Sequence, residues 1–184
     1  MNKFKSLKIF GVNANGIKCK LKSFTDVLSR ICPQIWMVQE TKMKSNEILK
    51  CEALNNFQVY YLSRQKKNGG GLAIGVIKDL ESTLIREGDD ETEAISVEVV
   101  IGKLPIRIIT AYGAQENENK ERKLKIWTFI EEELKKADIE GHGVIVQMDG
   151  NLHAGKGLLK DDPNVQNSKN VYGFSGQKSF INSG

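Results

Sequence analysis

Short apolar segments alternate with segments of helical periodicity along this chain. Residues 7–13 alternate apolar and polar side chains, as a half-buried strand does. Apolar residues then recur at helical spacing from Phe24 to Ile31, and residues 34–39 form a mostly apolar strand. The opening unit is therefore strand, helix, strand, for which a parallel crossover is the natural arrangement.

The middle of the chain predicts two hairpins. Strands at 59–63 and 71–77 flank a basic, glycine-rich connection, and strands at 94–100 and 106–111 flank a short turn. Such pairs predict antiparallel neighbours within a sheet.

A helix and one more buried strand follow. Residues 119–137 have helical periodicity and residues 144–148 are apolar. The predicted apolar face of the helix consists of Leu124, Trp127, Phe129 or Ile130, and Leu134. The tail at 155–184 is rich in Gly, Asn, Ser and Lys, with only a weak helical start near its end. This order predicts a mixed α/β sandwich whose strand ends gather polar residues.

Length and composition indicate one globular domain over residues 1–184. The chain has 184 residues and 40% apolar content, enough for one sizeable core. Its longest apolar runs have the length of strands, so we expect no transmembrane segment, and the N-terminus lacks a continuous apolar signal. We expect an intracellular protein whose three cysteines, with no CxxC pair, stay thiols.

Positive charge is concentrated in the first part of the chain. Residues 1–78 contain 14 Lys or Arg and 4 Asp or Glu, whereas the remainder contains 13 and 19. Lysine clusters in loops suit a phosphate backbone, because each neutralised phosphate releases condensed counterions. A merely solvated surface would look the same by charge alone.

Polar side chains follow three of the predicted strands. Asn13 and Asn15 follow the first, Glu40 the second, and Asp149 and Asn151 the last. Carboxylates and amides at the ends of buried strands suit Mg²⁺, which takes oxygen ligands and keeps several waters. Each residue taken singly is more often a turn former or a surface group, and their joint position predicts a site.

Five segments resemble the successive motifs of the endonuclease/exonuclease/phosphatase (DNase I-like) superfamily. They are VNANGI at 12–17, VQET at 38–41, GGGLAI at 69–74, ITAY at 109–112 and QMDGN at 147–151. Within that superfamily they look closest to the apurinic-endonuclease-like domain of non-LTR retrotransposons. The resemblance implies a four-layer α/β sandwich of two mixed sheets flanked by helices, with the last strands incomplete or missing.

The resemblance also implies roles for individual residues. Glu40 would be the principal ligand of Mg²⁺ or Mn²⁺, with support from Asn13 and Asn15, which would also face the scissile phosphate. Asp149 would position or deprotonate the attacking water. The remaining implied roles are phosphate contacts by Tyr112 and Asn151, and weaker phosphate or DNA contacts by Gln115, His153, Lys42, Lys66 and Lys67.

The chain departs from the family pattern in several places. Tyr112 is followed by Gly113-Ala114-Gln115 rather than the family's Asp or Asn with Pro and Asn, so a phosphate-contacting amide would have to be Gln115 or be absent. Met148 precedes Asp149 where the family usually has Gly. The superfamily closes with a Ser-Asp-His motif that the chain does not reach, so we expect a C-terminally truncated domain. Of the two histidines, His142 is expected on a surface turn and His153 in a loop beside the site.

Three functions remain open from the sequence. The first is an endonuclease that nicks double-stranded DNA for retrotransposon insertion, acting in the nucleus and most simply as a monomer. The second is a stand-alone AP endonuclease of DNA repair, or a phosphoesterase of the same fold. The third is an inactive nucleic-acid-binding relic.

Overall fold

Two β-sheets form the centre of the molecule. The computed structural model describes residues 6–44, 47, 50–64, 70–113 and 120–149, together with the backbone of two strands at 172–174 and 177–181. The helices among them include α1, Leu21–Ile31, and α2, Lys120–Glu140. The strands are β1 Ile9–Asn13, β2 Ile35–Gln39, β3 Phe57–Leu62, β4 Leu72–Ile77, β5 Glu81–Glu87, β6 Ala94–Ile101, β7 Leu104–Tyr112, β8 Gly143–Asp149, β9 Tyr172–Phe174 and β10 Gln177–Ile181.

The first sheet has the strand order β1-β2-β4-β3. Strands β1 and β2 are parallel across the crossover through α1, which confirms the predicted opening unit. Strands β3 and β4 form the predicted antiparallel hairpin, and β4 also pairs with β2. Every residue of β2 is buried, which explains its continuous apolar sequence.

The second sheet has the strand order β5-β6-β7-β8-β10-β9. Strands β6 and β7 form the second predicted hairpin, and β7 and β8 are parallel on either side of the crossover through α2. Strand β5 was not predicted. It lies at a sheet edge with most of its residues exposed, so its sequence lacks an apolar pattern.

The molecule has four layers. Apolar residues of β2, β4, β6 and β7 pack between the two sheets. Phe24 and Leu28 of α1 pack on the outer face of the first sheet, against Trp36. Ile126 and Phe129 of α2 cover the outer face of the second sheet. The predicted sandwich of two mixed sheets flanked by helices is confirmed.

The predicted buried face of α2 is partly wrong. Leu124, Trp127 and Leu134 are 66%, 38% and 38% exposed, whereas Ile126, Phe129, Ile130 and Ala137 are buried. Two charged residues, Arg122 and Glu133, share the buried face and are buried with it. Ion pairs in the interior neutralise both residues and so permit their burial. In the sequence, these two charged residues made the buried face look polar.

The tail also differs from the prediction. Where we expected only a weak helical start, β10 pairs antiparallel with β8, and β9 pairs with β10. Strands β9 and β10 have only three and five residues, YGF and QKSFI, which is too short for a clear periodic signal. None of the helices in the described part of the chain is long and apolar enough to cross a membrane.

Candidate active site

Both sheets place the carboxyl end of a parallel strand pair at the same edge of the sandwich. In the first sheet, Asn13 at the end of β1 lies opposite Gln39 at the end of β2. In the second, Tyr112 at the end of β7 lies opposite Asp149 at the end of β8. Side-chain hydrogen bonds from Asn13 to Asp149 and from Tyr112 to Glu40 join the two pairs.

The amide of Asn13 lies between two carboxylates. Its Nδ2 donates to Oε1 of Glu40 at 3.0 Å and to Oδ2 of Asp149 at 2.5 Å. The hydroxyl of Tyr112 donates to the same Oε1 of Glu40 at 2.7 Å, and Nζ of Lys42 lies 3.4 Å from the other oxygen, Oε2. The fold therefore gathers predicted site residues that are up to 136 positions apart in sequence.

The loop that carries Glu40 has an unusual backbone. Glu40 and Lys42 both have a φ of 51°, a left-handed conformation that costs a non-glycine residue about 1–2 kcal/mol. Backbone hydrogen bonds hold it: N–H of Thr41 donates to O of Gly71 at 3.0 Å, and N–H of Lys42 donates to O of Gly70 at 2.9 Å. The direction of the Glu40 side chain is thus fixed by contacts with a neighbouring loop.

The surroundings of Glu40 favour its charged form. Burial is the largest single influence and raises the pKa of this carboxyl. Hydrogen bonds from Asn13, Tyr112 and Lys42, with the nearby charge of Lys42, outweigh burial and hold the pKa of Glu40 below its ordinary value. Glu40 is therefore a carboxylate at neutral pH, which is the form that binds a cation.

A layer of buried amides lies next to the cluster and joins the two sheets. Nε2 of Gln39 donates to Oγ1 of Thr110 at 3.2 Å, and Nε2 of Gln147 donates to Oε1 of Gln39 at 3.3 Å. A Cβ atom on Gly11 would lie 2.4 Å from Nε2 of Gln147, so any other residue there would displace the Gln147 amide from this layer. Because Gln39 directly precedes Glu40 in the chain, this layer also fixes the position of the end of β2 relative to the end of β8.

Other predicted site residues are placed differently. The backbone N–H of Asn15 donates to Oδ1 of Asn13 at 2.9 Å, while the Asn15 side-chain Oδ1 accepts from Nζ of Lys42 at 2.5 Å. Asn15 thus orients Asn13 and Lys42, and its side-chain oxygen faces a lysine in this structure. Asn151, Gln115, His153, Lys66 and Lys67 lie outside the described residues.

The donor set at this edge fits a hard divalent cation. The carboxylates of Glu40 and Asp149 come from different sheets and meet at one nitrogen of Asn13. Carboxylate and amide oxygens are the ligands that Mg²⁺ and Mn²⁺ prefer. Glu40 would hold the ion through its carboxylate, with Asp149 beside it and the Nδ2 of Asn13 bridging the two carboxylates.

A second group of metal-type ligands lies at the opposite end of the second sheet. Ligand atoms of Glu98, Glu140 and His142 lie within 4.8 Å of one another. Nη2 of Arg107 reaches Glu140 at 2.7 Å and Glu98 at 3.4 Å, so this cluster already contains a cation. His142 is not a surface residue as expected. Its side chain is 16% exposed, with Nδ1 3.0 Å from Glu98.

Sequence reasoning missed Glu93, which contacts the loop that supports Glu40. Glu93 is 1% exposed and precedes β6. Its carboxylate accepts hydrogen bonds from N–H of Gly71, from Arg122 and from Arg64. The only signal was that Glu93 ends an acidic run at 89–93 (DDETE) directly before an apolar strand, and such a run is typical of an exposed turn.

The sequence matches no protein-family model and no curated protein, but the fold has counterparts among solved structures. TDP2 from D. rerio, solved with a single-strand DNA product, matches with a TM-score of 0.63 and 18% identity, over 82% of this chain and 62% of that chain. An AP endonuclease from Archaeoglobus fulgidus matches with a TM-score of 0.58 and 23% identity, over 80% and 58%. The endonuclease domain of TRAS1, a telomere-specific non-LTR retrotransposon, matches with a TM-score of 0.58 and 14% identity, over 80% and 62%.

The chain spans less than two thirds of the length of each of these proteins. All three are members of the superfamily that the sequence motifs resemble. The two mixed sheets, the flanking helices and the polar strand ends agree with that resemblance. This chain has the DNase I-like fold of the endonuclease/exonuclease/phosphatase superfamily.

Proposed function

We propose that this chain is a Mg²⁺-dependent endonuclease domain that nicks double-stranded DNA for the insertion of a non-LTR retrotransposon. One observation carries the proposal: Asn13, Glu40, Tyr112 and Asp149 converge across both sheets at one edge of the sandwich. The fold shared with solved DNA-processing proteins supports it. We propose the nucleus as the site of action, because the proposed substrate is double-stranded DNA.

The residues at this edge would have separate roles in phosphodiester hydrolysis. A bound Mg²⁺ would offset negative charge on the phosphate oxygens. Glu40 would hold the ion and is itself oriented by the donors on Asn13 and Tyr112. Asp149 accepts a proton from the attacking water while the water oxygen forms a bond to phosphorus. The ester oxygen leaves with the electrons of the broken P–O bond.

Basic side chains beside the site fit a polyanionic substrate. Nζ of Lys20 donates to the carbonyl of Ala14 at 2.6 Å, which places its charge beside the loop that follows β1. Lys42 lies against Glu40 and Asn15, with 40% of its side chain exposed. Phosphates that approach this edge therefore meet positive charge before they reach the carboxylates.

Nicking of a supercoiled plasmid tests the proposal. We expect Mg²⁺-dependent conversion to the open circle by the unmodified chain and a loss of at least about 100-fold after Glu40→Ala. Glu52→Ala, at an exposed position outside the site, is the control and should leave the rate unchanged. Nicking that survives Glu40→Ala would refute the metal assignment, and metal binding without nicking would favour the inactive relic.

Stand-alone DNA repair is the second candidate. It is favoured by the AP endonuclease of A. fulgidus, which has the highest identity of the three solved proteins above. A duplex oligonucleotide with one abasic site, compared with the same duplex without it, separates the two functions. Cleavage confined to the abasic site supports repair, and equal cleavage of both duplexes supports the retrotransposon role.

A further inference from the structure

Glu93 is a buried carboxylate that two arginines neutralise. Only 1% of it is exposed, and its Oε2 accepts hydrogen bonds from Nη2 of Arg122 at 2.6 Å and from Nη2 of Arg64. The two arginine side chains are 5% and 9% exposed. Arg122 belongs to the start of α2 and Arg64 follows β3, so Glu93 joins three parts of the chain.

The other carboxylate oxygen of Glu93 reaches the loop that holds Glu40. Its Oε1 accepts from N–H of Gly71 at 2.9 Å. The carbonyls of Gly70 and Gly71 accept the N–H groups of Lys42 and Thr41, the residues that follow Glu40. The left-handed backbone at Glu40 therefore rests on a loop that Glu93 fixes.

Two glycines are required for this contact. Gly70 and Gly71 have φ values of 67° and 88°, which disfavour any other residue. A Cβ atom on Gly70 would lie 2.2 Å from Oε1 of Glu93, and one on Gly71 would lie 2.5 Å from Oγ1 of Thr41. The glycines of the GGGLAI segment thus allow close approach of Glu93 and the Glu40 loop.

Glu93 also holds Tyr112 through its backbone. Its carbonyl accepts the N–H of Tyr112 at 2.9 Å. The hydroxyl of Tyr112 in turn donates to Oε1 of Glu40 at 2.7 Å. Glu93 therefore contacts the backbone of Tyr112 directly and reaches Glu40 through the Gly70-Gly71 loop.

We propose that Glu93 is a positioning residue: its carboxylate, clamped by Arg64 and Arg122, fixes the Gly70-Gly71 loop so that Glu40 is held ready to bind a divalent cation. The metal-binding part of this inference rests on the proposed function. It predicts that neutralising Glu93 weakens metal binding in molecules that remain folded. A purely structural role would instead lower stability and leave the affinity of the folded molecules unchanged.

Glu93→Gln is the principal variant and Glu133→Gln its matched control. Glu133 is also fully buried and paired with a buried arginine, with Oε2 2.9 Å from Nη1 of Arg107, but it lies away from the Glu40 loop. Glu93→Asp keeps the charge for the two arginines while shortening the reach to Gly71, so it covers the case in which Glu93→Gln does not fold. All samples are compared under conditions in which circular dichroism shows full folding.

Two measurements on the full chain decide the question. Titration calorimetry with Mn²⁺ should show affinity reduced by about 10-fold to 100-fold after Glu93→Gln, the range for groups that orient metal ligands. The loss should be smaller after Glu93→Asp, and affinity should be unchanged after Glu133→Gln. Amide hydrogen exchange should accelerate at Thr41, Lys42 and Gly71 after Glu93→Gln but not after Glu133→Gln.

The outcomes separate this inference from the proposed function. If both Glu93 variants bind Mn²⁺ as the unmodified chain does, or if Glu133→Gln weakens binding equally, the positioning role is refuted. If the unmodified chain binds no Mn²⁺, the proposed function fails, and the exchange rates alone decide whether Glu93 holds the loop. Exchange that is unchanged at Thr41 and Lys42 then refutes the inference as well.

Discussion

Two groups of acidic residues lie at opposite ends of the sandwich, and they differ in what neutralises them. At the strand ends, Glu40 and Asp149 share the neutral amide of Asn13, and Lys42 lies 3.4 Å from Glu40. At the other end, the carboxylates near His142 surround the guanidinium of Arg107. We term these the strand-end site and the Arg107 cluster.

The difference suggests how a metal site is distinguished from a structural ion-pair network. The Arg107 cluster has a set of ligand atoms that would suit a metal ion, yet a buried arginine, 2% exposed, already occupies its centre. The strand-end site has fewer ionisable ligands, but an amide bridges its two carboxylates and a phenol donates to Glu40. The cation beside Glu40 is an exposed lysine rather than a buried arginine, so a metal ion can displace it more easily.

The largest effect is expected at Glu40. Glu40→Ala removes the carboxylate on which the amide of Asn13 and the hydroxyl of Tyr112 converge. We expect Mn²⁺ affinity to fall by more than about 100-fold, beyond the range for groups that only orient ligands. Calorimetry with Glu98→Ala, a partly buried carboxylate of the Arg107 cluster, is the control. If Glu98→Ala abolished Mn²⁺ binding and Glu40→Ala did not, the Arg107 cluster rather than the strand-end site would hold the ion.

The next effect concerns stability at the Arg107 cluster. Arg107→Met leaves Glu98, Glu133 and Glu140 without their shared cation. We expect a loss of about 3–5 kcal/mol in the free energy of unfolding, measured by urea denaturation, because a broken buried ion pair leaves uncompensated charge. Mn²⁺ affinity of the folded variant should not change.

Lys125→Met provides the control for that measurement. Lys125 forms an exposed pair with Glu121 one helical turn away, at 3.5 Å, and such a pair contributes about 0.5 kcal/mol or less. If Arg107→Met costs no more than Lys125→Met, the Arg107 cluster is not a structural network.

A smaller effect is expected from the hydroxyl of Tyr112. Tyr112→Phe removes a donor to Glu40 and should reduce Mn²⁺ affinity by about 10-fold. The pKa of Glu40 in the folded protein lies below its ordinary value. The carboxylate is therefore fully charged at pH values above the ordinary pKa, and it loses its charge as the pH falls through the lower pKa of the folded protein.

The loss of this donor should therefore move the pH midpoint of Mn²⁺ binding upward. Tyr60→Phe, which removes a comparable hydroxyl bonded to Ser82 at 2.9 Å, is the control and should leave the midpoint unchanged. An unchanged midpoint after Tyr112→Phe would show that the phenol does not stabilise the charged carboxylate.

The smallest effect is expected at His142. Nδ1 of this side chain lies 3.0 Å from Glu98 and 3.2 Å from Glu140, but both carboxylates already pair with the buried Arg107. His142→Ala should change the free energy of unfolding by about 1 kcal/mol or less and leave Mn²⁺ binding intact. A clear loss of Mn²⁺ affinity would identify the Arg107 cluster as the metal site.

The sequence was informative where local pattern and structure coincide. Strands β2 and β8 are mostly apolar. Strand β2 ends directly before Glu40 and β8 ends on Asp149, so apolar runs alone located these residues at strand ends. The motif resemblance then implied the four-layer sandwich. Element order was predictable because each crossover joins neighbouring parallel strands.

Features that depend on contacts between distant residues were not predictable. Glu133 and Arg122 are buried in ion pairs with partners on other elements, and this concealed the true face of α2. Glu93 lies 22 positions from Gly71, and nothing local indicates that the two meet. Strand β10 is defined by its pairing with β8 rather than by its own pattern.

The most direct test of the account is to locate a bound Mn²⁺ by paramagnetic broadening of backbone amide signals. If the strand-end site holds the ion, the signals of Asn15, Thr41 and Gly113 should broaden at low Mn²⁺ concentration, because these residues adjoin Asn13, Glu40 and Tyr112 in the chain. Signals of Gly141 and His142 should stay sharp. Broadening at Gly141 and His142, with sharp signals at Thr41 and Gly113, would contradict the account.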